Sequence, residues 1–93
     1  LNGEANLTFD GSTLNCTGHI LPGTSNITYD LGSASYQWRN IYTGDLHLNN
    51  TRGDGNEVDG TSGSWTIQEG SDDLFLINRE TGKKYKFQLQ EID

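Results

Sequence analysis

Few groups in this chain are equipped for chemistry, and their spacing limits what they can do. There are two histidines, His19 and His47, and one cysteine, Cys16. His19 stands close enough in sequence to serve Cys16 as a base. The run from Ser12 to Leu21 nevertheless alternates like a strand, with Leu14, Cys16, Gly18 and Ile20 on one face. Positions i and i+3 of a strand face opposite ways, so the two make no nucleophile–base couple, and Cys16 reads as a small buried hydrophobe. Asp54-Gly-Asn-Glu-Val-Asp59 offers oxygen ligands. It carries Val58 at the fifth position, where a calcium loop needs another carboxylate or amide, and reads as a solvated loop. His47, in Asp45-Leu-His-Leu48, reads as a polar strand position. No Ser/His/Asp set, paired-carboxylate cleft or phosphate-binding glycine loop can be assembled. Neither an enzyme nor a bound metal or cofactor is expected.

The aromatics are the better candidates. Tyr29-Asp-Leu-Gly-Ser-Ala-Ser-Tyr-Gln-Trp-Arg-Asn-Ile-Tyr42 sets four aromatic residues and one basic residue in fourteen positions. Tyr36, Trp38 and Tyr42 share one parity, so an extended strand would display them on one face. Exposed, Tyr36 and Trp38 could stack on the sugar rings of a surface receptor. Buried, the row is a core between stacked units, and the scarcity of other large side chains favours that reading. Asp30 reads as a cap for turn amides before Leu-Gly-Ser, with a pairing to Arg39 as the alternative.

Those side chains must be held by a chain with little to bury. Only 31% of its 93 residues are hydrophobic and 12 are glycine, against roughly 45–50% apolar in ordinary domains. Such a chain cannot offset its ordering entropy alone. One cysteine excludes an internal disulfide, which leaves oligomerisation as the remaining support for a small core. The net charge of −7 argues against nucleic acid as a partner. No apolar run reaches the roughly 18 residues of a membrane span, so membrane insertion is not expected.

No segment repeats its apolar residues every 3.6 positions. Short alternating runs separated by turn residues point to an all-β chain. Asn6-Leu-Thr-Phe9 precedes the turn pair Asp10-Gly11. Asn6-Leu-Thr-Phe-Asp-Gly-Ser12 is echoed by Asn26-Ile-Thr-Tyr-Asp-Leu-Gly-Ser33, as a stacked β unit would repeat. Asp45–Leu48 is another short strand. Asn49 to Gly63 holds four glycines, three acids and the single aliphatic Val58, and reads as a loop or hinge. Beyond it, Trp65–Glu69, Asp73–Asn78 and Lys84–Glu91 form an expected three-stranded antiparallel meander. Its final hairpin turns at Arg79-Glu-Thr-Gly82, with Gly82 left-handed. The expected divisions are a fibre-like β-repeat region at 1–48, a Gly/Asp-rich hinge at 49–62 and the meander at 63–93. Tyr85, Phe87 and Leu89 face inward, and Trp65 packs at the junction.

Gly18-His-Ile-Leu-Pro-Gly-Thr, running on through Tyr29-Asp-Leu-Gly-Ser33 to Trp38-Arg-Asn-Ile-Tyr42, resembles the Gly-x-Ile-x-Pro … Tyr-x-Leu-Gly-Ser … Trp-x-x-Ile-Tyr segment of bacteriophage tail fibres and tailspikes. Trp65–Glu69, Asp73–Asn78 and Thr81–Phe87 look like the ends of tail fibres from phages of marine bacteria. The resemblance implies short strands in an intertwined parallel homotrimer. It also implies a virion protein, assembled in the host bacterial cytoplasm, that presents its tip to a bacterial surface glycan or outer-membrane receptor. Some such fibres bind iron through two histidines one residue apart, whereas His47 has no partner at 45 or 49. Relatives often continue into a self-cleaving domain with a Ser/Asp pair. This chain is too short to hold it, and Ser71-Asp72 reads as a turn.

The expectation is therefore a non-enzymatic, trimeric, distal piece of a tail fibre. Its candidate trimer core is Tyr36, Trp38, Tyr42, Trp65, Phe75, Ile77, Tyr85, Phe87 and Leu89, with Tyr36 and Trp38 as candidate receptor contacts. Two alternatives stand beside it. One is a monomeric secreted β-sandwich that binds carbohydrate, to which the sequons at Asn6, Asn15, Asn26 and Asn49 lend some weight. The other is a C-terminal clamp that registers three chains and touches no receptor.

Overall fold

A computed structural model describes residues 5–93. The described residues hold six strands and no helix: β1 (Leu7–Phe9), β2 (Leu14–Cys16), β3 (Leu46–Asn49), β4 (Ser64–Glu69), β5 (Leu74–Asn78) and β6 (Lys84–Lys86). They form two antiparallel sheets, β1-β2 and β3-β4-β5-β6. Among the described residues no helix is long and apolar enough to cross a membrane.

The first sheet is a bare hairpin with Leu7 opposite Cys16 and Phe9 opposite Leu14. Its turn is tied by the Asp10 carboxylate. Asp10 Oδ1 accepts from the amides of Ser12 (3.1 Å) and Thr13 (2.9 Å), as an Asx turn does. The strand expected from Ser12 to Leu21 stops at Cys16, because β1 offers only three residues to pair with. With no layer above the hairpin, Cys16 is exposed rather than buried.

No strand forms between residues 17 and 45, which corrects two expectations. Asn26–Ser33 echoes the first hairpin in sequence but does not repeat its structure. The Tyr29–Tyr42 segment is not an extended row either. Ser33 and Tyr36 exchange backbone hydrogen bonds, at 3.0 and 3.3 Å, and the Ser33 hydroxyl accepts from the Tyr36 amide at 3.1 Å. The chain thus reverses over Ala34-Ser35. The local pull of serine on nearby amides outcompetes an extended conformation that no neighbour pairs with.

The second sheet contains the expected meander, its last strand ending at Lys86 rather than Glu91, and one strand more. β3 pairs with β4 (Leu46 opposite Ile67, Leu48 opposite Trp65), so the expected boundaries at 48 and 49 fall inside a strand. The connection between β3 and β4 runs over residues 50–63. It is closed by Asn50 N–H to Gly63 O (3.2 Å) and Gly63 N–H to Asn50 Oδ1 (2.8 Å). The β5–β6 turn has the expected form: Gly82 adopts φ 77°, and its amide donates to Asn78 O at 2.8 Å. Asn78 Oδ1 accepts from the amides of Glu80 and Thr81.

The interior is minimal. Ile77, 8% exposed, is the buried hydrophobe among the described residues, and Thr66 is fully buried beside it. The Thr66 hydroxyl accepts from Arg79 Nε (3.0 Å) and meets His47 Nδ1 at 2.8 Å. The chain exposes 8878 Å², while a compact monomer of 10.3 kDa exposes roughly 5,400 Å². Its radius of gyration is 17.4 Å, against about 12 Å for a compact chain of this length.

Replacing Thr66 with Val keeps the shape and removes the hydroxyl that joins His47 and Arg79. A loss of about 1–3 kcal/mol is expected, read from denaturant unfolding at one fixed chain concentration.

Candidate functional site

Side chains on neighbouring strands share a face when their residues are paired, so the register sorts the four-stranded sheet into two surfaces. One carries Leu46, Ile67, Leu76 and Tyr85 in a row, with Leu48 and Trp65 in the next row. Leu74 has the same parity, and Phe87 docks beside it through Phe87 N–H to Leu74 O at 3.0 Å. Trp65 and Tyr85 meet with ring centroids 5.8 Å apart and planes tilted by 40°, a favourable offset contact. Leu46, Leu48 and Tyr85 remain exposed on this face, while Trp65, Ile67, Leu74 and Leu76 are half-buried.

The other surface is polar. It bears His47, Thr66, Gln68, Lys84 and Lys86, together with Phe75 and Ile77. Of its two apolar residues Ile77 is buried, whereas Phe75 stays 37% exposed with its ring against Gly70, where a Cβ would stand 2.7 Å from Phe75 Cε2.

The candidate core residues are therefore divided. Trp65, Tyr85 and Phe87 share the apolar face, while Phe75 and Ile77 point the opposite way. Leu89 lies past the end of β6 and is exposed. Tyr36, Trp38 and Tyr42 lie on the strandless 17–45 stretch, exposed at 83%, 64% and 91%. Within one chain they form no core. The Trp38 ring rests against the backbone at Gly32, with Cδ1 3.5 Å from where a Cβ would stand.

Leu46, Leu48, Ile67, Leu74 and Leu76 were absent from the expected core. The alternation of Leu46 and Leu48 about His47 signals a one-sided strand, and Ile67 shares the parity of Trp65. The run Leu74-Phe-Leu-Ile77 carries no alternation, so periodicity cannot say which pair faces which way.

The β3–β4 connection is built around one amide. Asn56 Oδ1 accepts from the backbone of Val58 (2.7 Å) and Asp59 (2.9 Å). Its Nδ2 donates to Asp59 Oδ1 (2.8 Å) and Thr61 O (2.9 Å). Asp59 Oδ1 also accepts from the Thr61 amide and hydroxyl, at 3.1 and 2.8 Å. These bonds, led by the Thr61 amide, hold the Asp59 carboxyl below its ordinary value near 3.8. Bonds to Ser12 and Thr13, led by the Thr13 amide, do the same for Asp10. The carboxylate most suited to a cation at 54–59 is thus occupied in holding the loop. Among the described residues no three His, Cys, Asp or Glu side chains gather in a metal-binding group. A shallow groove beside this loop is lined by Ile27, His47, Leu48, Asn56, Thr61 and Trp65, and the amide of Asn56 is already spent within the loop.

Compared with protein-family models, curated proteins and solved structures, the chain matches none.

Two outcomes follow for the loop. A folded-state pKa below the unfolded one means that the stabilisation from Asp59 is complete above about pH 3.8. It is lost as pH falls through the lower folded value. An NMR titration should show the amides of Val58, Asp59 and Thr61 holding their shifts down to the ordinary carboxylate range and moving together below it. Gly55, at φ 93°, sits where a Cβ would collide with the Gly60 carbonyl. Gly55→Ala should cost at least about 1–2 kcal/mol from the left-handed backbone alone and raise hydrogen exchange across residues 56–61.

Proposed function

We propose that this chain is a distal part of a bacteriophage tail fibre. On this reading it is a non-enzymatic, homotrimeric virion protein, assembled in the host cytoplasm, that mediates attachment to a bacterial surface glycan or outer-membrane receptor. The observation that carries the reading is the unburied apolar inventory. About 3,500 Å² of surface lies beyond what a compact monomer of this mass exposes, and the exposed side chains include Leu46, Leu48 and Tyr85 on one sheet face and the aromatics of residues 29–42. A chain in that condition needs copies of itself to complete its core. That the number is three, and the setting a virion, rests on the likeness of Gly18–Tyr42 and Trp65–Phe87 to tail-fibre segments.

The exposure of Tyr36 and Trp38 also favours the monomeric carbohydrate-binding reading, in which flat amphipathic rings meet sugars. The two part on mass. Light scattering of the purified chain at micromolar concentration should give three times the 10.3 kDa chain mass. A folded species of single-chain mass whose tryptophan fluorescence is quenched by sugar would replace the fibre reading with the carbohydrate one. If residues 63–93 act chiefly as the clamp, deleting them should abolish trimerisation altogether.

A further inference from the structure

The homotrimer reading leaves open which surface of the sheet meets the other copies. The geometry points to a three-sided β-prism in which the Leu46–Ile67–Leu76–Tyr85 face lines the axis. The β3 edge of each copy then lies against the β6 edge of the next, joined by Asp45 and the neighbouring copy's Lys86.

The choice of face follows from burial and charge. Leu46, Leu48 and Tyr85 on the apolar face are 48%, 50% and 47% exposed in the single chain. The opposite face carries only two hydrophobes, Ile77, which is buried, and Phe75, which is 37% exposed with its ring against Gly70. That opposite face also carries Asp45, Lys84 and Lys86, whose burial would be costly, whereas the apolar face bears one charge, Glu69, at the end of β4 opposite Leu74.

The width of the sheet fits the three copies of the homotrimer reading. Four strands at about 4.8 Å spacing make a wall about 19 Å wide, and three such walls enclose an axis about 5.5 Å from each. That is close to half the roughly 10 Å separating face-packed sheets, so side chains from three walls fill the interior without a channel. Each copy would lose roughly 800 Å² at each of two standard-sized interfaces, well within its surface excess.

The joint follows from register. Gln68 Nε2 donates to Asp45 Oδ2 at 3.1 Å, Gln68 lies opposite Phe75, and Phe75 lies opposite Lys86. Asp45 and Lys86 therefore stand at one level, on the same outer face, at opposite edges of the sheet. β3 and β6 run in opposite directions, so a three-fold rotation without translation sets them antiparallel and places opposite charges side by side. In a chain of net charge −7, where copies repel one another, such a contact also favours this edge order over others.

The test is a disulfide across the joint. Within one chain, positions 45 and 86 are about 14 Å apart, three strand spacings, beyond the roughly 7 Å that a disulfide spans. The full chain with C16S, D45C and K86C, oxidised and run unfolded without reductant, should give a covalent trimer as its end product. The variants with only one of D45C and K86C should give no covalent trimer. If light scattering finds three chain masses but no covalent trimer forms, the prism is wrong and the homotrimer stands. If it finds a single chain mass, the homotrimer reading falls and the prism with it. A ladder that ends at two chains, or runs past three, overturns the three-sided closure.

Discussion

A β-sheet with one apolar face is stable only when something covers that face. In this chain most apolar residues of β3 to β6 are gathered on one side by their pairing, with Phe75 and Ile77 on the other, and Leu46, Leu48 and Tyr85 on the apolar side stay exposed. Hydrophobic burial is the main favourable term in folding, and here most of it is unspent. Ile77 and Thr66 show the one place where the chain closes over itself, and they do so on the polar face with help from Arg79 and His47. What fixes the shape of a single copy is thus mainly directional: strand ladders, turn amides and side-chain bonds to nearby backbone.

That division runs through the whole molecule. Asp10, Ser33, Asn56 and Asn78 each tie a turn by bonding to amides two or three residues on. Such bonds set local conformation without requiring a core, because their cost is met among near neighbours in sequence. Between them, residues 17–45 hold large apolar side chains in water. Local order and exposed hydrophobes together are what a chain needs if its neighbours are to supply the packing.

Much of this was legible in the residues. The all-β character, the Asp10-Gly11 turn, the Asp45–Leu48 strand and the Arg79–Gly82 hairpin follow from alternation and turn chemistry, which act over a few positions. The errors arose where a longer-range contact, or its absence, decided the outcome. The strand expected through Leu21 ended for want of a partner, and the Asn26–Ser33 echo paired with nothing. The Tyr36–Trp38–Tyr42 row gave way to a serine-led reversal. The fourth strand joined the meander because the Asn56 loop folds back on itself, which composition alone had reduced to a hinge. The unalternating Leu74–Ile77 run hid which of its side chains belong together, and only the register separates Phe75 and Ile77 from Tyr85 and Phe87.

Every strand pairs with a strand next to it in the sequence: β1 with β2, and β3 through β6 in order. Contacts this close in sequence form quickly, since little loop entropy stands in their way. On the proposed homotrimer reading, a single copy can form these ladders, however weakly held, before it meets another, with its apolar face turned to solvent. Its excess of acidic side chains would keep such copies dispersed. The slow step of assembly would then be the encounter of preformed pieces, governed by their concentration.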